Sequence, residues 1–509
     1  MKNFYFTILS VLFLACSHEN HKETVAHPDF CTSIHRDSSI KISKLLDSLS
    51  ELTTTKTGVY PLEDGDGAMV ARAWLSEYAE KTIDIQYFIF STDNVGLIAA
   101  DYLVRAADRG VKVRILVDDI MVEADEEKLL NLDSHENISI KIYNPTVNIG
   151  KTMSDKIYSL ITDFRGANQR MHNKTFTVDG KIVITGGRNI ADEYFDYDHE
   201  YNFRDRDVLL LGKITKDVNT SFEQFWNDSL SRSVKELVDT TKYSYNDPNR
   251  FYELHQYACD STNFWPQVRE KIKNIPAAFH HILKHEQLQW LDSVQFVSDV
   301  PGKNKETKNL GGGGNTTTAL ATLIMQAKKS IIIQSPYLIT TEESRQLFAD
   351  AIKRGVEIKI QTNSLASTDN LQAFNGYQRD REKLLKTGVK IFEYRPDAVV
   401  RYKVMTGALQ KKMNFTPTFG LHAKTMVVDG HITVIGTFNL DPRSSNLNTE
   451  CITIIHSDKI ANSVQTKIEE ELKPENSWET TLSYNPDNKA GIKKNFKATH
   501  MRVVPKGIL

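Results

Sequence analysis

The sequence predicts a duplicated α/β protein. Two tandem domains, each a mixed β-sheet flanked by helices, are expected to pack about a pseudo-twofold axis around one shared site. Three observations carry this expectation. A strand–helix–strand segment occurs twice: Ile83 to Phe90 leads through a helical stretch to Arg109–Val117, and Ile331 to Tyr337 leads likewise to Arg354–Ile360. Both read as βαβ units whose helices stop at Gly110 and Gly355. The copies keep a common period, with Gln86 and Gln334 separated by 248 positions and Gly110 and Gly355 by 245. A period near half the chain indicates duplicated domains rather than a solenoid. Finally, a polar motif recurs at a fixed offset of 250, and it carries the chemistry.

Composition bounds the rest. With 509 residues, 40% hydrophobic and 25% charged, the chain resembles a soluble globular protein of several domains at roughly 150 residues each. A collagen-like fibre, a disordered chain and a multi-span membrane protein are excluded. Lys plus Arg number 63 against 65 for Asp plus Glu, a net charge of −2 that argues against a nucleic-acid partner. Any phosphate contact must therefore be local. Four cysteines without CxxC spacing exclude a disulfide scaffold and a zinc ribbon, and no metal-ligand spacing accompanies the polar motif.

Read in order, residues 1–16 form an address. Lys2 precedes an apolar run from Phe4 to Ala15, too short for a spanning helix at roughly 20 residues and proportioned like a secretory h-region. Residues 17–57 are polar and read as a tether with a short helix around Ile40 to Leu52. The first domain is expected over 58–300 and the second over 301–509. Between them, Pro301 to Thr318 is rich in Gly, Asn, Lys and Thr, the composition of a flexible connector. Cys451, in an apolar run, reads as a buried free thiol, and a Cys31–Cys259 disulfide is left open because spacing does not support it.

The motif reads Arg170-Met-His172-Asn-Lys174 through Asp179-Gly180 to Asn189, and again Gly420-Leu-His422-Ala-Lys424 through Asp429-Gly430 to Asn439. Side chains at i and i+2 share a face of an extended chain, so each His and Lys point together. Asp-Gly between two β-rich runs predicts a hairpin in each half, whose returning strand brings Asn189 or Asn439 back towards the same face. Histidine, lysine and asparagine converging from two hairpins suit a phosphate. Asp179 and Asp429 complete the candidate catalytic motif, with the expectation that they shape the turn and do not touch substrate. Either copy alone is weak; two in register, with matching glycine and asparagine, point to a site.

These paired HxKxxxxD motifs resemble the hallmark of the phospholipase D superfamily. The wider text, including Gly187-Arg-Asn-Ile190, Asp205-Arg-Asp-Val208, Ser221-Phe-Glu-Gln-Phe-Trp-Asn227, Asp441-Pro-Arg-Ser444 and Leu447-Asn-Thr-Glu450, is similar to its cardiolipin synthase branch, and most to the C type. The resemblance runs from about Gly58 to Ile455 and is less distinctive at 230–300. It implies that one histidine attacks phosphorus while the other protonates the leaving oxygen and then deprotonates the incoming alcohol. By that analogy His172 is the nucleophile and His422 the acid and base, with pseudosymmetry leaving the reverse open. Lys174, Lys424, Asn189 and Asn439 would hold the nonbridging oxygens. Asp205 and Glu450 match the orienting carboxylates, with Asp207 a rival for the first.

The same resemblance implies cardiolipin formation by transfer of a phosphatidyl group between phosphatidylglycerol and a second phospholipid, phosphatidylglycerol or phosphatidylethanolamine. Hydrolysis as a phospholipase D, or less favourably a nuclease, uses the same site. No cofactor or metal is required, one chain holds both half-sites as a monomer, and an accessory protein is left open. Phe13-Leu14-Ala15-Cys16 resembles a lipobox, implying lipidation of Cys16 and a membrane-anchored lipoprotein on the periplasmic side of a bacterial envelope. Secondary candidates are Arg443 and Ser444 beside the second motif. Tyr377, with Phe222, Phe225 and Trp226, reads as core, and His281 with His285 as a surface helix.

Overall fold

The computed structural model describes residues 29–500 apart from 123–124, 147, 152–163, 246, 248, 278–287, 308–310 and 405–416. The lipobox with Cys16, and His281 with His285, lie outside the described residues.

The first sheet has nine strands. In chain order these are β1 (Thr57–Leu62), β2 (Thr82–Tyr87), β3 (Lys112–Asp118), β4 (Ile138–Tyr143), β5 (Thr175–Val178), β6 (Ile182–Gly186), β8 (Asp207–Gly212), β9 (Ser231–Ser233) and β10 (Gln289–Leu291). Between β6 and β8 in sequence lies β7 (Tyr201–Arg204), which stands outside this sheet. The second sheet has eight: β11 (Val294–Ser298), β12 (Ser330–Gln334), β13 (Glu357–Asn363), β14 (Lys390–Tyr394), β16 (Thr425–Val428), β17 (Ile432–Gly436), β18 (Cys451–His456) and β19 (Ser477–Thr480). The strand left over, β15 (Thr418–Leu421), pairs in parallel with β7 of the other half.

Spatial order shows the duplication directly. The first sheet runs β10-β1-β8-β6-β5-β2-β3-β4-β9 and the second β11-β18-β17-β16-β12-β13-β14-β19, the same order save for the extra β10. In each, three parallel strands (β2, β3, β4 or β12, β13, β14) continue into an antiparallel hairpin (β5–β6 or β16–β17). The central strands are buried on both faces, which their Ile-rich text requires of parallel strands covered by helices. The crossover helices are Asn94–Asp108 and Glu342–Lys353, started by the side chains of Asp93 and Thr341. Gly110 and Gly355 follow them at φ 92° and 91°, a conformation glycine adopts without strain.

The three largest apolar clusters among the described residues follow from this layering. One fills the first half and one the second, while the third joins Val59, Val183, Val208 and Leu210 to Ile332, Val427, Ile435 and Ile455 across the two halves. The halves therefore share a core, with their motif-bearing hairpins near the join.

Several expectations change. The described part of the expected tether is not one: from Phe30 the chain lies on the first half, with Phe30, Ile34, Ile42 and Leu46 buried among the first core cluster. Their apolar side chains, spaced through polar text, find a partner surface, and Cys31 is disulfide-bonded to Cys259 with Cα atoms 5.1 Å apart. The expected single helix is two, Ile42–Asp47 and Ser50–Thr55. The connector is also no loose linker. Its Gly302 N–H donates to the Tyr143 hydroxyl at 2.9 Å, and its end forms the start of helix Asn315–Gln326. The second sheet already begins at Val294, within the stretch expected to close the first domain. Cys451 is a buried free thiol.

Candidate active site

Each motif is built on a tight hairpin. Asp179 and Gly180 take φ 53° and 62°, and Asp429 and Gly430 take 54° and 68°, left-handed conformations that Asp and Gly accept in the three-residue turns between Val178 and Ile182 and between Val428 and Ile432. The Asp179 carboxylate accepts the N–H groups of Glu80, Lys81 and Thr82, and Asp429 those of Lys328, Lys329 and Ser330. Both tie the turn to the start of the neighbouring parallel strand. They stand at the far end of the hairpin, roughly 15 Å of extended chain from the lysines. Both carboxylates hold the turns through these backbone hydrogen bonds, the turn-shaping part of the expectation for Asp179 and Asp429.

The other ends of the hairpins meet. His172 and Lys174 precede β5, and His422 and Lys424 precede β16, in extended segments outside the strands proper. The opposite half fixes each segment: His172 N donates to Thr449 O at 3.0 Å, and His422 N to Arg204 O at 2.8 Å. The side chains cross over in the same way. His172 Nδ1 lies 2.8 Å from Glu450 Oε2, and His422 Nδ1 lies 2.6 Å from Asp205 Oδ2. Each imidazole is thus oriented by a carboxylate from the other half, a swap the linear text does not reveal.

Sheet register settles the choice between Asp205 and Asp207. Gly186 pairs with Asp207 and Gly436 with Ile452, so Asp205 is the counterpart of Glu450. Asp207 is bound instead by Arg72 at 2.9 Å. Room for the Asp205 carboxylate comes from Gly187, where a Cβ would lie 2.0 Å from Asp205 Oδ1. The corresponding residue of the second half is Thr437, whose hydroxyl donates to Glu450.

Both imidazoles are almost fully enclosed, His172 at 6% exposure and His422 at 5%. Phe88 meets the first ring edge-on with centroids 5.1 Å apart, and Tyr194 the second at 5.0 Å. Lys174 and Lys424 donate to the carbonyls of His172 and His422. Burial, then the Lys424 charge, depresses Lys174 to about 7, and burial takes Lys424 to about 8. Burial and both lysines hold His172 well below its ordinary value; burial and Lys424 lower His422 to about 3 against the opposing pull of Asp205. That both lysines act on both rings places all four groups in one electrostatic field.

The two carboxylates differ. Burial raises Asp205, but His422, Lys424 and Arg188 overcome it and keep the group ionised far below the usual carboxylate range. Burial instead pushes Glu450 up to about 7. Glu450 rests on Asp299, whose Oδ2 accepts its N–H at 3.1 Å, and Asp299 is paired with Lys303 of the connector at 2.8 Å.

Asn189 and Asn439 follow the returning strands as expected. Asn189 Oδ1 accepts the Ile89 N–H at 3.1 Å, while Asn439 is anchored by its N–H to Ser444 Oγ at 3.2 Å. The Asn439 Oδ1 has no hydrogen-bond partner among the described residues. Arg443 reaches across to Asn168 of the first half, and its charge acts on His172. Tyr377, Phe222 and Phe225 are core. Sequence reasoning missed Tyr194 and Phe88, the Thr437 hydroxyl, and Tyr337 with Asp369, whose hydroxyl and carboxylate pair at 2.9 Å on the His422 side. Phe88 and Tyr337 lie in the repeated strand runs and Thr437 between Gly436 and Asn439 of the second motif, but spacing alone does not show which of their neighbours turn towards the histidines.

A family model described as cardiolipin synthase, PLD-like domain, matches residues 77–226 and again 320–472, one match for each half. The chain belongs to this family. Cardiolipin synthase C of Escherichia coli is 33% identical over 414 residues, covering 79% of this chain and 82% of that one. Cardiolipin synthase 1 of Bacillus cereus is 26% identical over 460 residues, covering 89% and 72%. Among solved structures, phosphatidylserine synthase of Haemophilus influenzae superimposes with a TM-score of 0.57 at 14% identity, covering 92% of this chain and all of that one, which shows a shared fold. The family assignment fits a phosphatidyltransferase whose two motif copies are both intact.

Proposed function

We propose that the protein makes cardiolipin, passing a phosphatidyl group through a phosphohistidine to the glycerol headgroup of phosphatidylglycerol. The observation that carries this reading is the pair of crossed His–carboxylate contacts, which makes one two-histidine site from two half-chains. His172, neutral beside a Glu450 whose carboxyl burial pushes up to about 7, is the nucleophile towards phosphorus. The bond from phosphorus to the departing headgroup oxygen breaks as the bond to His172 forms. A bound phosphodiester offsets the field of Lys174 and Lys424. His422, facing the ionised Asp205, is then the ring that holds a proton, gives it to the departing oxygen and takes one from the incoming hydroxyl. The lysines, with Asn189 and Asn439, carry the charge on the nonbridging oxygens. Exchanging one phosphodiester for another needs no nucleotide, which suits an exported enzyme. An apolar leader ending at Cys16 would anchor it by lipidation on the periplasmic side, beside its substrate.

The test supplies purified protein with labelled phosphatidylglycerol, alone and mixed with phosphatidylethanolamine, and resolves the lipid products. Cardiolipin is expected. Phosphatidic acid without cardiolipin would replace transfer by hydrolysis.

A further inference from the structure

Asp369 lies on the loop between β13 and the helix Leu371–Leu385, and of residues 364–370 it alone is exposed. The loop is held from several sides. Where it leaves β13, Asn363 accepts the Leu421 N–H and donates to the Leu421 carbonyl, both at 2.8 Å, one residue before His422. Further on, Ser367 O accepts the Tyr201 hydroxyl. Tyr201 packs on Phe203 with ring centroids 4.9 Å apart, and Phe203 lies 4.8 Å from the His422 ring. From below, Lys494 Nζ donates to Ala366 O at 3.0 Å and Thr368 O at 2.9 Å. The exposed carboxylate therefore stands on a loop that is fixed to the His422 segment.

Tyr337 sets the direction of that carboxylate, donating to Asp369 Oδ2 at 2.9 Å. Its neighbour Leu338 bridges Leu440, the residue after Asn439. Ser335 Oγ joins the same two segments, accepting the Leu440 N–H at 3.0 Å and donating to Tyr337 O at 2.7 Å. The Tyr337–Asp369 pair is thus mounted between the segments that bear His422 and Asn439. Its charge is felt in the site: Asp369 acts on Lys424 and on Tyr194, the ring that meets His422 edge-on. The first half differs at the matching place. Phe90 bridges Ile190 as Leu338 bridges Leu440, so the apolar Ile89 stands where the second half has Tyr337.

On the transferase reading, the His422 side is where one headgroup departs and the acceptor hydroxyl arrives. A glycerol headgroup reacts there through a terminal oxygen and carries a second hydroxyl on the next carbon. A carboxylate offers roughly four acceptor sites, so the bond from Tyr337 orients Asp369 and leaves capacity for that hydroxyl. We propose that Asp369, positioned by Tyr337, reads the secondary hydroxyl of a glycerol headgroup at the His422 side of the site. The inference rests on the reading of the protein as a phospholipid transferase and adds the residue that selects the headgroup.

The test gives the full chain either phosphatidylglycerol or phosphatidyl-1,3-propanediol, which keeps the terminal hydroxyl and lacks the secondary one. The readout is the ratio of kcat/KM for the two lipids, followed through cardiolipin and its deoxy counterpart. The parent protein should prefer phosphatidylglycerol about tenfold, the scale of one hydrogen bond to a charged group. Asp369→Ala should bring the ratio near one, and Tyr337→Phe should bring it partway. Both lipids meet the same preparation, so a partly misfolded variant still gives a true ratio. A parent ratio near one, or a ratio that Asp369→Ala leaves unchanged, overturns the proposal. A further arm adds phosphatidylethanolamine. If Asp369→Ala spares the ratio and removes only the contribution of that lipid, the carboxylate reads an ammonium, which also overturns it. A parent that turns both lipids into phosphatidic acid alone defeats the transferase reading instead. The ratio, then taken on hydrolysis, still tests Asp369, so the two failures are distinct.

Discussion

His172 and His422 occupy equivalent positions on duplicated hairpins, yet the groups facing them differ in length, support and charge. Asp205 reaches its ring past a glycine and stays ionised; Glu450 reaches its ring with a threonine hydroxyl at its side and is pushed up to about 7. Duplication supplies a symmetric frame, whereas the proposed reaction needs one neutral imidazole and one that holds a proton. The comparison teaches that symmetry is broken one residue away from the histidines, in the carboxylate each borrows from the other half.

The largest effect expected is loss of either ring. His172→Ala and His422→Ala should each lower turnover by at least ~10³-fold in the lipid-product assay. Retained activity in either would break the two-histidine account. Asp205→Asn should come next, at roughly 10²- to 10⁴-fold, because it removes the charge that holds the proton on His422. Glu450→Gln should cost only about fivefold to tenfold at pH 7, the scale of one altered hydrogen bond. Equal losses would erase the asymmetry. Gly187→Ala should approach the Asp205→Asn value, since its Cβ must displace that carboxylate, while Thr437→Val should cost only a few-fold.

Much of this was legible beforehand, and the limits are instructive. The offset of 250 located His172, Lys174, His422 and Lys424, and the Asp-Gly pairs gave both hairpins, because turn chemistry and strand patterning are local. The crossing of Asp205 and Glu450 was not legible, since it depends on how two halves pack and not on spacing within either. The choice between Asp205 and Asp207 needed sheet register. The Phe30 segment looked like a tether because its apolar residues are sparse, and only the surface they meet makes them core.

Two smaller effects sharpen the comparison. Lys174 and Lys424 are depressed to about 7 and 8, so each is charged below those values and loses its charge as pH rises through them. A bound anion favours the charged forms. Orthovanadate should therefore bind with uptake of protons near pH 8, read by calorimetry in buffers of different ionisation enthalpy. Its affinity should fall up to about tenfold per pH unit above that. Binding without proton uptake would place ordinary lysines in the site. Smallest in turnover are Asp179→Ala and Asp429→Ala, which should lower Tm by several degrees through lost turn bonds while changing kcat less than twofold. A large kcat loss at unchanged Tm would place these aspartates in the catalytic set.

The account is tested most directly by trapping the covalent intermediate. His422→Ala protein mixed with labelled phosphatidylglycerol, quenched under alkaline conditions and mapped by peptide mass spectrometry, should carry the phosphatidyl group on His172. The reciprocal His172→Ala protein should carry none. An adduct on His422, or on neither histidine, would contradict the assignment drawn from the unequal carboxylates.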